Sequence, residues 1–320
     1  MLGLYSIKNL RISTCVLIVL GCIAVLQLLL LYGSYNYKCI SKEDIGKYLY
    51  MYLNPKVVKR LDKPACDYEM VYKQVHKDDW SIIEQSNQFD PSGIVNGSFV
   101  PEDCNPQLSI AILVTYRNRQ SQLDIFIPFI HNFLRRQKIH YKIFVIEQHD
   151  AKLFNKGLLY NVGARQAARE LFPCLVLHDV DLLPLSAANL YACLLQPRHL
   201  SASLDKFRFV LPYYGLVGGV LALTTEHFRQ LNGFSNKFTG WGGEDDEFAA
   251  RIMDHNLEIL RFPPDMSRYT MLVHQQAPVN GQRFRLMSET VAAQDGLNSM
   301  HYRSVSVSQH PLFTLIRVVT

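Results

Sequence analysis

Hydrophobic and polar positions change rhythm three times along this chain. Over 12–32, Val, Leu and Ile follow one another with no charged residue, interrupted by Gln27 and small polar side chains. A run of about 20 apolar residues matches the ~30 Å hydrocarbon thickness of a bilayer. It is apolar on every side, unlike a half-buried surface helix, and longer than the roughly 7–15-residue apolar core of a cleaved signal peptide. Up to about Pro106 no periodicity is sustained, and Pro, Asp, Asn and Gly are scattered through the segment. Regular patterning then begins. The apolar run 109–114 predicts a buried strand, and Leu123, Phe126, Ile127, Ile130 and Leu134 fall at helical spacing. A second strand is predicted over 141–146, a helix through Leu158, Leu159, Val162 and Ala167, and a third strand over 174–177. This alternation predicts an α/β fold with a mixed, mostly parallel sheet. Ligands in such sheets sit beyond the carboxyl ends of the strands, where Arg117, Arg119 and the Asp179-Val180-Asp181 triplet fall.

Composition refines the picture at three points. The net charge of +5 includes no Lys/Arg block, which argues against nucleic-acid binding and fits anionic small ligands. Lys8 and Arg11 precede the apolar run; positive flanks stay cytoplasmic, so the bulk of the chain is expected on the luminal side. The expected organisation is a cytoplasmic tail over 1–11, a transmembrane signal anchor over 12–32, a stem over 33–65 and a luminal domain over 66–320. Of seven cysteines, Cys15 and Cys22 lie in the apolar run and Cys39 just beyond it. Cys66, Cys104, Cys174 and Cys193 form an even set in a presumed oxidising compartment. Three pairings are possible, and order along the chain favours Cys66–Cys104 with Cys174–Cys193. Asn96-Gly97-Ser98 is an N-glycosylation sequon in a loop-like stretch.

Two clusters carry chemistry. Asp179 and Asp181, one residue apart at a strand end, offer oxygen ligands suited to a hard divalent cation and a sugar nucleotide. A D-x-D alone is often a solvated turn; the preceding strand gives this one weight. Glu244, Asp245, Asp246 and Glu247 follow Gly242-Gly243 and open a predicted helix. Helix-dipole capping explains one or two of these acids. Four of them beside a glycine pair and Trp241 suggest a sugar-stacking face and a carboxylate that takes a proton from an acceptor hydroxyl. His274 alone reads as an ordinary packed or surface histidine, and spacing does not lead to Met271, a soft thioether.

The ordered set Phe154-Asn155-Lys156, Asn161-Val162-Gly163, His178-Asp179-Val180-Asp181-Leu182-Leu183-Pro184, Gly218-Gly219-Val220, Gly240-Trp241-Gly242-Gly243-Glu244-Asp245-Asp246 and Asp295-Gly296-Leu297-Asn298 resembles the β-1,4-galactosyltransferase family, from about Cys66 to the C-terminus. The resemblance implies a GT-A glycosyltransferase fold over 66–320, a Golgi location and an inverting transfer from a UDP-sugar. It matches Asp181, Met271 and His274 to Mn²⁺ ligands and Asp245 to the catalytic base. Arg117, Arg119, Phe154, Lys156, Asp179, Val180, Leu216 and Trp241 match donor-side positions. Tyr213, Glu244, Asp246, Arg283, Phe284 and Met287 match acceptor-side positions. The two disulfides favoured by chain order match the family's pairs. Thr115-Tyr116 stands where Pro-Phe is usual, Lys156 where Arg is usual, and 275–282 is shorter than in mammalian members.

Leu216 carries the finer expectation. Galactose-transferring members have Tyr there; Leu is smaller and leaves room for the 2-acetamido group of GalNAc. The expected reaction is GalNAc transfer from UDP-GalNAc to the 4-hydroxyl of a terminal β-GlcNAc on a glycolipid or glycoprotein. UDP-Gal is the alternative donor, and a non-catalytic glycan-binding protein of the same fold is the alternative of another class. The sequence carries nothing that decides for a membrane helper protein or a homodimer.

Overall fold

The computed structural model describes residues 2–31, 37–73, 89–275 and 279–320, with side chains in the first helix from 13 to 28. Two compact units divide at Asn36/Tyr37. The first contains α1 (Leu2–Leu31). Its described side chains are exposed, Val16, Leu17, Ile18 and Val19 among them. Among the described residues no helix is long and apolar enough to cross a membrane. The anchor expected over 12–32 extends beyond the described residues.

In the second unit the hairpin β1 (Ile94–Val95) and β2 (Ser98–Phe99) precedes β3 (Ser109–Tyr116), α2 (Gln120–Arg136), β4 (His140–Gln148) and α3 (Lys156–Arg169). Next come β5 (Cys174–Asp179), β6 (Leu182–Pro184), β7 (Arg198–His199), β8 (Ser203–Leu204), β9 (Val220–Thr224) and α4 (Thr225–Gln230). The chain closes with α5 (Glu244–Asp254), β10 (Arg268–Met271), α6 (Arg283–Glu289), β11 (Ser304–Gln309) and β12 (Thr314–Val319). The main sheet runs β1-β2-β4-β3-β5-β9-β7, with β12 beside β4 and β11 outside it. All eight residues of β3 are buried, as a strand covered on both faces demands. Ile110, Ile112 and Val114 pack with α2 through Phe126 and Ile130. Ala111 and Leu113 face the other way, toward Leu158 and Leu159 of α3 and Phe248 and Ile252 of α5.

The expectation of a mostly parallel sheet needs correction. β4, β3 and β5 are parallel, and β12 joins β4 in parallel. β9 runs antiparallel to β5, β7 to β9, β11 to β12 and β2 to β4. After β5 the chain makes no helical crossover; it passes through β6, joins the sheet edge as β7, leaves it for β8 and returns as β9, antiparallel to β5. The stretch 37–65, expected as stem, is also packed into the second unit. Ile45 is fully buried, and Asn54 takes Ser109 Oγ at its backbone N–H at 2.8 Å and donates its side chain to Glu170 O at 2.9 Å. Long-range contacts of this kind leave no periodic trace.

A second sheet, β6-β10-β8, stands at the carboxyl end of β5. Cys66–Cys104 and Cys174–Cys193 are both formed; the latter fastens the start of β5 to the segment before β7. Replacing Cys174 and Cys193 together by Ala should cost about 2–4 kcal/mol by urea denaturation. An unchanged midpoint and slope would show that sheet packing alone holds β5 in place.

Candidate active site

The site is built where β5 ends. Its last residue, Asp179, sits 3.0 Å from Lys156 Nζ and accepts a hydrogen bond from Tyr160 Oη at 3.3 Å. Lys156 opens α3, whose N-terminus is capped by Asn155 accepting from Leu158 N at 2.9 Å. The same ammonium lies 3.4 Å from Asp245 and 3.7 Å from Glu244. Burial works against its charge, but Asp179, Asp245, Tyr160 and Glu244 outweigh that and hold its pKa well above the usual lysine value. One cation thus draws together a strand end and a helix start.

Asp245 lies in the first turn of α5, which follows Gly242 and Gly243, both at φ +98°. Gly218 makes its approach possible: a Cβ there would lie 2.6 Å from Asp245 Oδ2. Burial raises the Asp245 pKa to about 7; Lys156 opposes the rise, and Glu244 and Asp179 add to it. On the neighbouring residue, Asp246 accepts a 2.6 Å hydrogen bond from Tyr213 Oη. Burial and then this bond raise the Tyr213 pKa. Glu244 is buried, and its Oε2 has no hydrogen-bond partner among the described residues.

Asp181 meets His274, with Oδ2 and Nε2 2.5 Å apart. Burial and Asp179 raise the Asp181 pKa, while His274 pulls it down. The pairing follows from the second sheet: Met271 stands opposite Leu182, and Leu272 N donates to Asp181 O at 2.7 Å. Met271 is therefore beside the same strand end. Among the described residues no group of three His, Cys, Asp or Glu forms a metal cluster. A set of Asp181, His274 and Met271 contains only two such residues. The donor set fits a borderline divalent cation, with carboxylate oxygen and imidazole nitrogen already converged.

The expected donor-side residues divide. Lys156 and Asp179 converge with the expected base Asp245, and Val180, between Asp179 and Asp181, is buried. Arg117 donates to Lys152 O, and its guanidinium lies 5.2 Å from the Phe154 ring. Arg119 donates to Gln275 O at 2.8 Å, so it holds the segment after His274. Trp241 is 44% exposed, and Arg283 lies 5.8 Å from its ring and 4.8 Å from that of Phe284. Phe284 is exposed and Met287 half-buried, both on α6. Leu216 is half-buried, two residues before Gly218. Part of the shortened 275–282 segment lies outside the described residues. Asn96 is exposed at φ +52° in the β1–β2 turn.

Several residues of the site escape sequence reasoning. Tyr160 had a readable signal, since it lies one turn after Lys156 on the same face of α3. Asp205 did not. It accepts from Met271 N at 3.1 Å and from Thr270 Oγ1, steadying β10 from a distant point in the chain.

Comparison with known proteins bears on this site. Residues 66–194 match the profile described as the N-terminal region of glycosyl transferase group 7. Residues 198–275 match one described as the N-terminal domain of galactosyltransferase. β-1,4-Galactosyltransferase 4 of Rattus norvegicus is 40% identical over 231 residues, 70% of this chain and 67% of that protein. The chain belongs to the β-1,4-galactosyltransferase family. β-1,4-Galactosyltransferase 2 of Homo sapiens is 38% identical over 243 residues, 74% of this chain and 65% of the relative. The match thus spans slightly under two thirds of that relative's length. A crystal structure of a Drosophila β-1,4-galactosyltransferase 7 mutant, in complex with manganese, UDP-Gal and xylobiose, is 30% identical with a TM-score of 0.58. That likeness covers 66% of this chain and 94% of the other. It agrees with the expected GT-A glycosyltransferase architecture.

The raised Asp245 carboxyl has a stability consequence. Such a group stabilises the fold below its unfolded value near 4, and the contribution is lost as pH rises through about 7. Asp245→Asn lacks this titration. Between about pH 5 and about pH 8, the melting temperature of the parent should fall relative to that of the variant. Parallel curves would show that Lys156 fully compensates the Asp245 charge in the folded protein.

Proposed function

We propose that this chain is an inverting β-1,4-glycosyltransferase that moves GalNAc from UDP-GalNAc to the 4-hydroxyl of a terminal β-GlcNAc. The observation that carries the reading is the Lys156 bridge, which holds Asp245 and Asp179 in one cluster beside the Asp181–His274 pair. Asp245 acts as general base: its carboxylate accepts the proton of the attacking 4-hydroxyl as that oxygen displaces UDP from the sugar's anomeric carbon. A pKa near the operating pH suits this task, because the proton is taken up and then released without a deep trap. Lys156 keeps the carboxylate aimed at the cluster. The unpartnered Glu244 oxygen and Asp246 are placed to accept hydrogen bonds from acceptor hydroxyls. Trp241 offers an exposed ring for stacking on a sugar face. Asp181, His274 and Met271 would hold Mn²⁺, which when bound supplies positive charge against the departing diphosphate. The Drosophila relative's complex with manganese and UDP-Gal supports this choice of metal and donor class.

Leu216 supports GalNAc over Gal. A shorter apolar side chain two residues from the glycine that abuts Asp245 leaves space for an acetamido group. The names of the relatives favour UDP-Gal, which is the second reading. A non-catalytic glycan binder is disfavoured because Asp181, His274 and Asp245 are all retained. The reading places the protein in the Golgi membrane, with α1 as a single-pass anchor, the larger unit in the lumen and Asn96 as a glycosylation site.

The test is a donor scan of the purified full chain in detergent, with a β-GlcNAc acceptor and Mn²⁺ or EDTA. Transfer should require Mn²⁺ and favour UDP-GalNAc, and Asp245→Asn should abolish it. Leu216→Tyr should move the preference toward UDP-Gal by about 10- to 100-fold, as a steric change of ~1–3 kcal/mol implies. A wild-type preference for UDP-Gal would refute the GalNAc assignment alone. Full turnover by Asp245→Asn would refute the mechanism.

A further inference from the structure

Arg261 is fully buried, although it is among the largest and most strongly hydrated side chains in the protein. Its Nη2 donates to Tyr214 O at 2.6 Å and to Leu216 O at 2.9 Å. The guanidinium also lies near two aromatic rings, 5.3 Å from Tyr214 and 5.6 Å from Tyr37. Its own carbonyl accepts from Ile40 N at 2.9 Å, which fixes the base of the side chain. A buried charge survives only when its donors are matched, and here two matched acceptors are backbone carbonyls of one loop.

That loop bears the donor-specificity position; Val217 buries its side chain in the core, while the backbone of 214–216 makes few hydrogen bonds. Leu216 N reaches Tyr213 O at a long 3.3 Å. At the outer end, Tyr213 is tied to Asp246. At the inner end, His199 Nε2 lies 3.0 Å from Gly218 O. Between these ends, Arg261 grips the two carbonyls that flank Gly215, a residue whose Cβ position meets nothing within 4 Å. With no side chain at 215 to pack, the guanidinium's grip on both flanking carbonyls acts together with buried Val217 to set the 216 backbone.

We propose that Arg261 is a positioning residue for donor specificity. By gripping the carbonyls of Tyr214 and Leu216, it fixes how far the residue-216 side chain stands from the donor sugar. This rests on the reading of Leu216 given above. Arg261 touches no reacting atom and acts through the loop. A planar guanidinium reaches two carbonyls and lies against aromatic rings at once; an ammonium does neither in the same way.

The experiment compares full-chain wild type, Arg261→Lys and Tyr214→Leu. Tyr214→Leu is a substitution at an exposed site that leaves both carbonyls in place, and so guards against misfolding of the first variant. The readout is the ratio of kcat/KM for UDP-GalNAc to that for UDP-Gal, together with amide hydrogen exchange over 211–218. Arg261→Lys should shrink the ratio by about 5- to 10-fold, the size of one lost hydrogen bond of ordinary net strength. Exchange at Leu216 should speed up in the same variant. Tyr214→Leu should move the ratio in the same direction by about 2-fold, as expected for loss of one weak cation–π contact. A purely structural arginine would lower both donors equally, and that result overturns the proposal, as does an unchanged ratio in both folded variants. Wild type that transfers neither sugar overturns the functional reading instead, while the exchange data still report whether Arg261 holds the loop.

Discussion

The placement of Lys156 among three carboxylates is the interaction on which the site depends. Asp179, Glu244 and Asp245 come from a strand end and a helix start that are far apart in sequence, and their mutual repulsion in a partly buried pocket would drive them apart. One ammonium at the first position of α3 offsets that repulsion. The rest follows from geometry. α3 must pack on the sheet so that its first residue reaches β5, and α5 must start where Gly218 leaves room for Asp245. An arginine in the same place would spread its charge over a planar fork. The lysine is a point charge, which suits three acceptors arriving from different directions.

The second sheet performs the analogous task for Asp181. Neither Asp181 nor His274 is placed by a long element. Asp181 lies in the turn between β5 and β6, and His274 lies three residues beyond β10. The antiparallel pairing of β6 with β10, extended by Leu272 N to Asp181 O, sets them face to face. Asp205 anchors β10 from outside that pairing. The two halves of the site are thus organised by different means, charge on one side and backbone hydrogen bonding on the other.

Much of this was legible in the sequence, for identifiable reasons. β3, β4 and β5 are covered on both faces and read as continuous apolar runs; α2 shows helical spacing because its buried residues recur at that spacing, and α3 is buried on all sides over 157–164. The acidic cluster after Gly242-Gly243 and the D-x-D at a strand end were visible because unusual residues are concentrated there. What remained hidden lies in long-range pairing. The antiparallel entry of β9, the packing of 37–65, and the contacts of Gly218 and Asp205 depend on residues that meet only after folding. Met271 and His274 became candidates through the family resemblance, since an isolated thioether and imidazole carry no local pattern.

The placement of β12 has a consequence for how the chain reaches this state. Its strand lies parallel to β4, and Arg317 pairs with Glu147 at a sequence separation of 170. The carboxyl-terminal half of β4 therefore has an unpaired edge until residues 314–318 arrive. On a ribosome, most of the sheet is synthesised well before that edge can be closed. A strand that waits so long is a site for wrong partners, and non-local pairing of this kind slows the final assembly step. The hairpin of β11 and β12 thus seals an edge that the earlier strands leave open.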